Sequence, residues 1–198
     1  MDKKKITIET YNRTAVEMAQ KFNQIGTRVS DIEHVLSLVD KKNPKILEIG
    51  CGNGRDAAEI IKHTENYLGI DVSSEMIRLA REAVPNARFS VADSEMYEFE
   101  SSIDVIFAFA SLLHTPRETL KIIFDRAYTA LNPGGVFFIS VKYGPYQEIA
   151  KQDEFGERYF YLYTPDDLLA AAGPRYKALS QTITNVREQK WVEIILQK

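Results

Sequence analysis

Lys45-Ile46-Leu47-Glu48-Ile49-Gly50-Cys51-Gly52-Asn53-Gly54 is a short apolar run that carries an acid near its end and passes into three alternating glycines. The pattern predicts a β-strand breaking into a turn. Glycine at every second position clears side chains from one face of that turn, so a ligand can approach the backbone and positive φ costs little. Backbone amides are expected to line the resulting pocket, with Gly50, Cys51, Gly52 and Asn53 against the ligand. The dinucleotide fingerprint G-x-G-x-x-G opens with the same two alternating glycines, but sets its last glycine three positions on and aims a helix N-terminus at a pyrophosphate. Here the third glycine comes one position early and Glu48 precedes the first. A carboxylate at that point repels a pyrophosphate and favours a cationic or hydroxylated ligand. Glycines also mark ordinary βα turns, so the neighbouring segments must decide.

Outward from this junction, strand and helix patterns alternate. Strands are predicted at 45–49, 66–70, 87–91, 103–108, 135–142, 176–185 and 191–197, and helices at 56–63, 74–84 and 118–131. Alternation of this kind argues for a parallel sheet with helices on both faces. Residues 186–190 are too few for a crossover helix, so the last two strands should pair antiparallel. Before the sheet, 14–22 and 31–39 read as two amphipathic helices lying across the pocket mouth.

The spacing E-x-G-x-G-x-G resembles the first motif of class I S-adenosylmethionine-dependent methyltransferases, whose cofactor carries an α-ammonium and a sulfonium. Five parallel strands followed by an antiparallel hairpin are similar to that family's sheet rather than to the wholly parallel dinucleotide fold. The fold expected is α/β, a Rossmann-like doubly wound sheet of seven strands. A single domain spans 1–198: an N-terminal helical lid at 1–42, a cofactor-binding core at 43–142, and a substrate-side cover with the hairpin at 143–198. The turn Leu131-Asn132-Pro133-Gly134-Gly135 matches the family's L-x-P-G-G, where proline stops a helix and the glycines permit reversal into a strand.

Ligands of open α/β sheets lie outside the carboxyl ends of the strands. Asp71, ending the second strand, is placed to accept hydrogen bonds from two ribose hydroxyls, or else to cap the next helix, although Ser73 and Ser74 already supply capping oxygens. The resemblance implies that Asp93, after the third strand, receives the adenine amine and that the Ser94 amide meets the ring nitrogen. Val72 would contribute backbone and an apolar wall, and Met76 would pack on the adenine or belong to the core. In the family, the segment Ala110-Ser111-Leu112-Leu113-His114 lies between cofactor and acceptor. Ala110 keeps that floor small, and Tyr11 is placed to reach the methionine carboxylate or to pack the helix entry. His114 has the pKa of a general base near neutrality, and its alternative is a hydrogen bond that anchors the loop. The aromatic stretch from Tyr143 to Tyr163 offers an acceptor pocket, with Tyr143, Arg158 and Tyr159 as candidate substrate contacts, or an ordinary cover over the sheet.

Composition narrows the alternatives. With 198 residues, a formal net charge of −3 and a single cysteine, the chain fits one domain with no overall drive toward nucleic acid and no internal disulfide or cysteine-based zinc site. Cys51 sits where the turn needs a small residue, so a packing role is expected. Lys3, Lys4 and Lys5 read as a frayed, solvated end. No apolar leader or spanning segment is evident, which fits a cytoplasmic location, and no metal ligands are assigned. The expected activity is S-adenosylmethionine-dependent methyl transfer to a small-molecule acceptor. Alternatives are a non-catalytic module binding the same cofactor and, opposed by the early third glycine, a nicotinamide-dependent oxidoreductase.

Overall fold

The computed structural model describes residues 2–198. Strand β1 (Ile46–Ile49) pairs in parallel with β2 (Tyr67–Asp71) on one side and with β4 (Ile103–Phe109) on the other. β3 (Arg88–Val91) extends the sheet beyond β2, and β5 (Leu131–Lys142) extends it beyond β4. The direction then reverses: β9 (Gln189–Gln197) runs antiparallel to β5, and β8 (Lys177–Val186) antiparallel to β9. The order β3-β2-β1-β4-β5-β9-β8 makes the boundary between β1 and β4 the switch point, where open α/β sheets open a crevice.

β1 and β4 are buried along their whole length, which is why they read as unbroken apolar runs rather than alternating ones. Successive side chains of β5 point to opposite faces. Phe137, Ile139 and Val141 meet α6 (Arg117–Ala130) and α7 (Pro165–Ala172) through Leu120, Phe124 and Leu168. Val136 and Phe138 join β4's Phe107 and Phe109 against α3 (Val29–Ser37), α4 (Ala57–Ile60) and α5 (Ser74–Ala83). The β8–β9 turn places Arg187 and Glu188 at φ 48° and 67°, the double left-handed geometry that two-residue hairpins require.

Four features depart from the sequence reading. First, the basic N-terminus is no frayed end. Asp2 caps α1 (Lys3–Arg13) through the Lys4 and Lys5 amides, Lys3 pairs with Glu148 at 2.6 Å, and Lys4 pairs with Asp93 at 2.5 Å and Glu95 at 2.8 Å. This helix buries Thr7 and Thr10 rather than an apolar stripe, so it carries little periodicity to detect. Second, β6 (Gln147–Asp153) and β7 (Gly156–Leu162) form a separate antiparallel pair. β6 is exposed almost throughout, and its sequence therefore lacks the alternation of a half-buried strand. Third, α7 begins in a capping box, with Thr164 Oγ1 accepting from the Asp167 amide and the Asp167 carboxylate accepting from the Thr164 amide. Fourth, β5 starts at Leu131: Ile103 faces Leu131 and Val105 faces Val136, so four residues of β5 bulge opposite one of β4. Asn132 closes the bulge by donating to Ser102 O and Asp104 Oδ1. Among the described residues no helix is long and apolar enough to cross a membrane.

Candidate functional site

A cavity of about 880 Å³ opens over the carboxyl ends of β1, β2, β4 and β5. α1 and α2 (Ala15–Ile25) roof it on one side, and the β6–β7 pair walls it on the other. The glycine turn forms its floor. Gly50 has φ 72°, and a Cβ there would lie 2.2 Å from Ser111 Cβ, so this glycine lets the β1 and β4 ends come together. Ser111 locks that approach by donating from Oγ to Ile49 O at 2.6 Å. Gly52, at φ 54°, has nothing within 4 Å of its would-be Cβ; it faces the open cavity.

Gly50, Cys51, Gly52 and Asn53 all line the cavity, but the amides of Gly50, Cys51, Gly52 and Gly54 are spent on protein acceptors rather than presented to it. Gly50 and Cys51 donate to Ile70 O, Gly54 donates to Cys51 O, and Gly52 donates to Asp71 Oδ2. Amides spent on protein acceptors are not available to a phosphate. Carboxylates dominate instead. Glu48 is buried and accepts from the Tyr67 hydroxyl at 2.5 Å; burial and then the charges of Asp56 and Asp71 push its pKa well up. Asp71 accepts from the Gly52 and Ser73 amides at 2.9 and 2.8 Å, which partly offsets the rise that withdrawal from water causes. Asp56 is raised chiefly by burial, although Arg55 and Arg28 pair with it. Cys51 is buried, and its thiol is pushed up by burial and then by Asp71 and Glu48, so it supplies volume rather than a thiolate. Asn53 ties the turn to α2 by donating to Asn23 Oδ1 at 2.9 Å.

Val72, Asp93 and Ser94 line the same cavity, with Asp93 held by Lys4. Met76 lines the cavity but is also fully packed with Ala15, Met18 and Phe155. Ala110 holds φ 51°, an unusual conformation for a residue with a Cβ, and its amide bonds Ser140 O. Tyr143 falls outside the cavity. It packs on the α6 side of the sheet and donates its amide to Lys190 O. Arg158 and Tyr159 do line the cavity.

His114 joins three elements. A carbonyl only accepts, so Nδ1 carries the proton that bonds Tyr159 O at 2.6 Å; Nε2 is then the acceptor for the Tyr11 hydroxyl at 2.9 Å. Both ring nitrogens are engaged, which favours the anchoring role over proton abstraction. Burial lowers the imidazole to about 4, with Arg158 and Lys142 adding to the fall and the Tyr159 bond opposing it. Because the folded value lies below the ordinary 6.5, the stability His114 contributes is complete above that value and is lost as pH falls toward 4. Between pH 7 and pH 4 the protein should lose up to about 3 kcal/mol more than a His114→Gln variant, which bonds without titrating. Urea unfolding of both proteins across that range measures the difference, and parallel pH curves would refute it.

Sequence reading missed Arg28, Asp56, Ser111 and Lys142. Asp56 follows the glycine turn directly and could have been noticed beside Arg55. Arg28, which pairs with Asp56 at 2.9 Å and lies over the Phe109 ring at 5.2 Å, carries no local signal.

Residues 46–135 match the methyltransferase-domain family. Malonyl-[acyl-carrier protein] O-methyltransferase 1 of Ilyobacter polytropus is 29% identical over 140 residues, covering 68% of this chain and 51% of the relative. Trans-aconitate 2-methyltransferase of Escherichia coli is 34% identical over 110 residues, covering 54% of this chain and 43% of the relative. The chain thus spans about half the length of the curated relatives it matches. The magnesium protoporphyrin IX methyltransferase of Synechocystis, solved with bound S-adenosylmethionine, superposes with a TM-score of 0.72 at 16% identity, covering 100% of this chain and 98% of that one. Sheet order, glycine turn and strand-end acids agree with these likenesses: residues 46–135 match a methyltransferase domain, and the sheet around them has the fold of the solved methyltransferase.

Proposed function

We propose that the cavity binds S-adenosylmethionine and that the domain transfers its methyl group to a small-molecule acceptor. The observation that carries this reading is the glycine turn, whose Gly50, Cys51, Gly52 and Gly54 amides are spent on protein acceptors while Glu48, Asp56 and Asp71 gather around it, all three pushed up by burial and Glu48 further by the other two. Such a set suits a cationic, hydroxylated ligand and disfavours a pyrophosphate, because nearby positive charge stabilises ionised carboxylates. Asp71 would accept the ribose hydroxyls; Asp93, Ser94 and Val72 would hold the adenine. Arg28 would supply donors for the methionine carboxylate, whereas the Tyr11 hydroxyl, which lines the same cavity, donates its proton to His114 Nε2.

Bound there, the cofactor supplies an electrophilic methyl carbon on a sulfonium. The protein's own part is alignment and exclusion of water. Ala110 keeps the β4 end small, and Ser111 fixes that end to β1. Tyr11, on α1, reaches across to His114 and so ties the roof to the loop beneath it. With His114 neutral and both nitrogens occupied, the loop is a rigid wall. Titration calorimetry with S-adenosylhomocysteine should show one-site binding, with no comparable binding of NADH. Absence of S-adenosylhomocysteine binding would overturn the reading.

A further inference from the structure

Resting on that reading, we infer that the methyl acceptor bears a carboxylate, held by Lys142 and Arg158 beside the Phe160 ring. Around the glycine turn the cavity is acidic, but beneath the β6–β7 pair its sign reverses. Lys142, the last residue of β5, places Nζ 3.9 Å from the Phe160 centroid, and among the described residues no carboxylate lies within ion-pair distance of it. Arg158, whose side chain is 9% exposed, lies among the rings of Tyr11, Phe155 and Phe160. One guanidinium nitrogen pairs with Asp153, while its buried Nε has no acceptor. Lys151 shares Asp153 at 3.2 Å. Three cations and one carboxylate therefore line this end of the cavity.

An unpaired, largely buried ammonium and an orphaned guanidinium N–H are both costly. A carboxylate bound at this end of the cavity would pair with the Lys142 ammonium and draw on the Arg158 guanidinium, since both residues line it and Arg is suited to planar oxyanions. A neutral acceptor leaves both unsatisfied, and a cationic one is repelled. The titration of Lys142 agrees: burial, then Lys151 and Arg158, push it down to about 8, with Asp153 opposing. The groups facing it are Lys151 and Asp153 on β6, Arg158 on β7 and neutral His114.

The test uses the full chain saturated with S-adenosylhomocysteine and three probes, benzoate, phenylacetate and hexanoate, each beside its own primary amide. Calorimetry should show the acids binding at least about tenfold tighter than the amides. Lys142→Met, which keeps the stem against Phe160, should lose that preference while its S-adenosylhomocysteine affinity stays unchanged. In turnover with S-adenosylmethionine, KM for an acid acceptor should rise above about pH 8 with kcat held, and the variant should lack that rise. Equal binding of acid and amide, or an unaltered preference in Lys142→Met, would overturn the inference and leave the methyl-transfer reading intact. Failure of S-adenosylhomocysteine to bind the unmodified chain would remove both.

Discussion

Asp71→Ala should weaken S-adenosylhomocysteine binding by about 100-fold or more. The carboxylate has two tasks at once. Oδ2 accepts from the Gly52 amide at 2.9 Å and Oδ1 from the Ser73 amide at 2.8 Å, so it shapes both the glycine turn and the start of α5. Its remaining lone pairs face the cavity, where charge-assisted bonds to hydroxyls contribute about 1.5–3 kcal/mol each. Losing two such bonds corresponds to at least about 100-fold in affinity. Removal also orphans two amides, each costing about 1–3 kcal/mol where water cannot reach them. Asp71→Asn separates the tasks. One of its side-chain atoms still accepts, but the other becomes a donor facing an N–H, so it should bind less weakly than the alanine variant while still disturbing the turn. Calorimetry measures the affinity and thermal denaturation the turn. An affinity within threefold of the parent for Asp71→Ala would sink the ribose assignment.

β1 and β4, which form the centre of the site, were legible because each is a buried, continuous or nearly continuous apolar run, whereas the edge strand β3 buries only Phe89 and was placed by its spacing from the neighbouring elements. β1 to β4 and the closing hairpin lie close to where periodicity places them, β5 begins four residues early, Asp71 ends β2 and Asp93 follows β3. What stayed hidden shares a physical cause. α1 packs through threonines: Thr7 Oγ1 accepts from the Tyr159 amide, and Thr10 donates to Glu157 O at 2.8 Å. Side chain to backbone bonds of this kind leave no hydrophobic period. β6 is exposed and polar, and its partner β7 supplies the aromatics that the sequence shows only as a cluster. Within that cluster, Tyr143 and Phe160 look alike in sequence, yet only Phe160 lines the cavity. The amides of the glycine turn could not be assigned beforehand, because their direction depends on Ile70 and Asp71, some twenty residues away. Lys142 was overlooked for a related reason. A lysine at a strand end is ordinary until the absence of a partner can be seen.

Gly50→Ala is expected to destabilise the fold by about 2–5 kcal/mol, a large share of the 5–15 kcal/mol that typically separates folded from unfolded states. Two independent effects combine. At φ 72° a residue with a Cβ is disfavoured by about 1–2 kcal/mol. The added carbon would also lie 2.2 Å from Ser111 Cβ and 2.9 Å from its Oγ, and forcing apart a packed contact costs typically about 1–3 kcal/mol. The displacement would strain the Ser111 bond to Ile49 O and the Gly50 bond to Ile70 O, the contacts that join β4, β1 and β2 at the switch point. The double variant Gly50→Ala/Ser111→Gly removes the collision but retains the strained φ, and should recover stability to within about 2 kcal/mol of Ser111→Gly alone. Gly52→Ala supplies the contrast. With nothing within 4 Å of its Cβ and φ at 54°, it should lower stability by only about 1 kcal/mol while placing a methyl group in the cavity. Urea unfolding should therefore rank Gly50→Ala well below Gly52→Ala in stability. Calorimetry should show Gly52→Ala losing S-adenosylhomocysteine affinity out of proportion to its small stability change. If both variants fall equally in both measurements, the turn does not divide its glycines between fold and ligand.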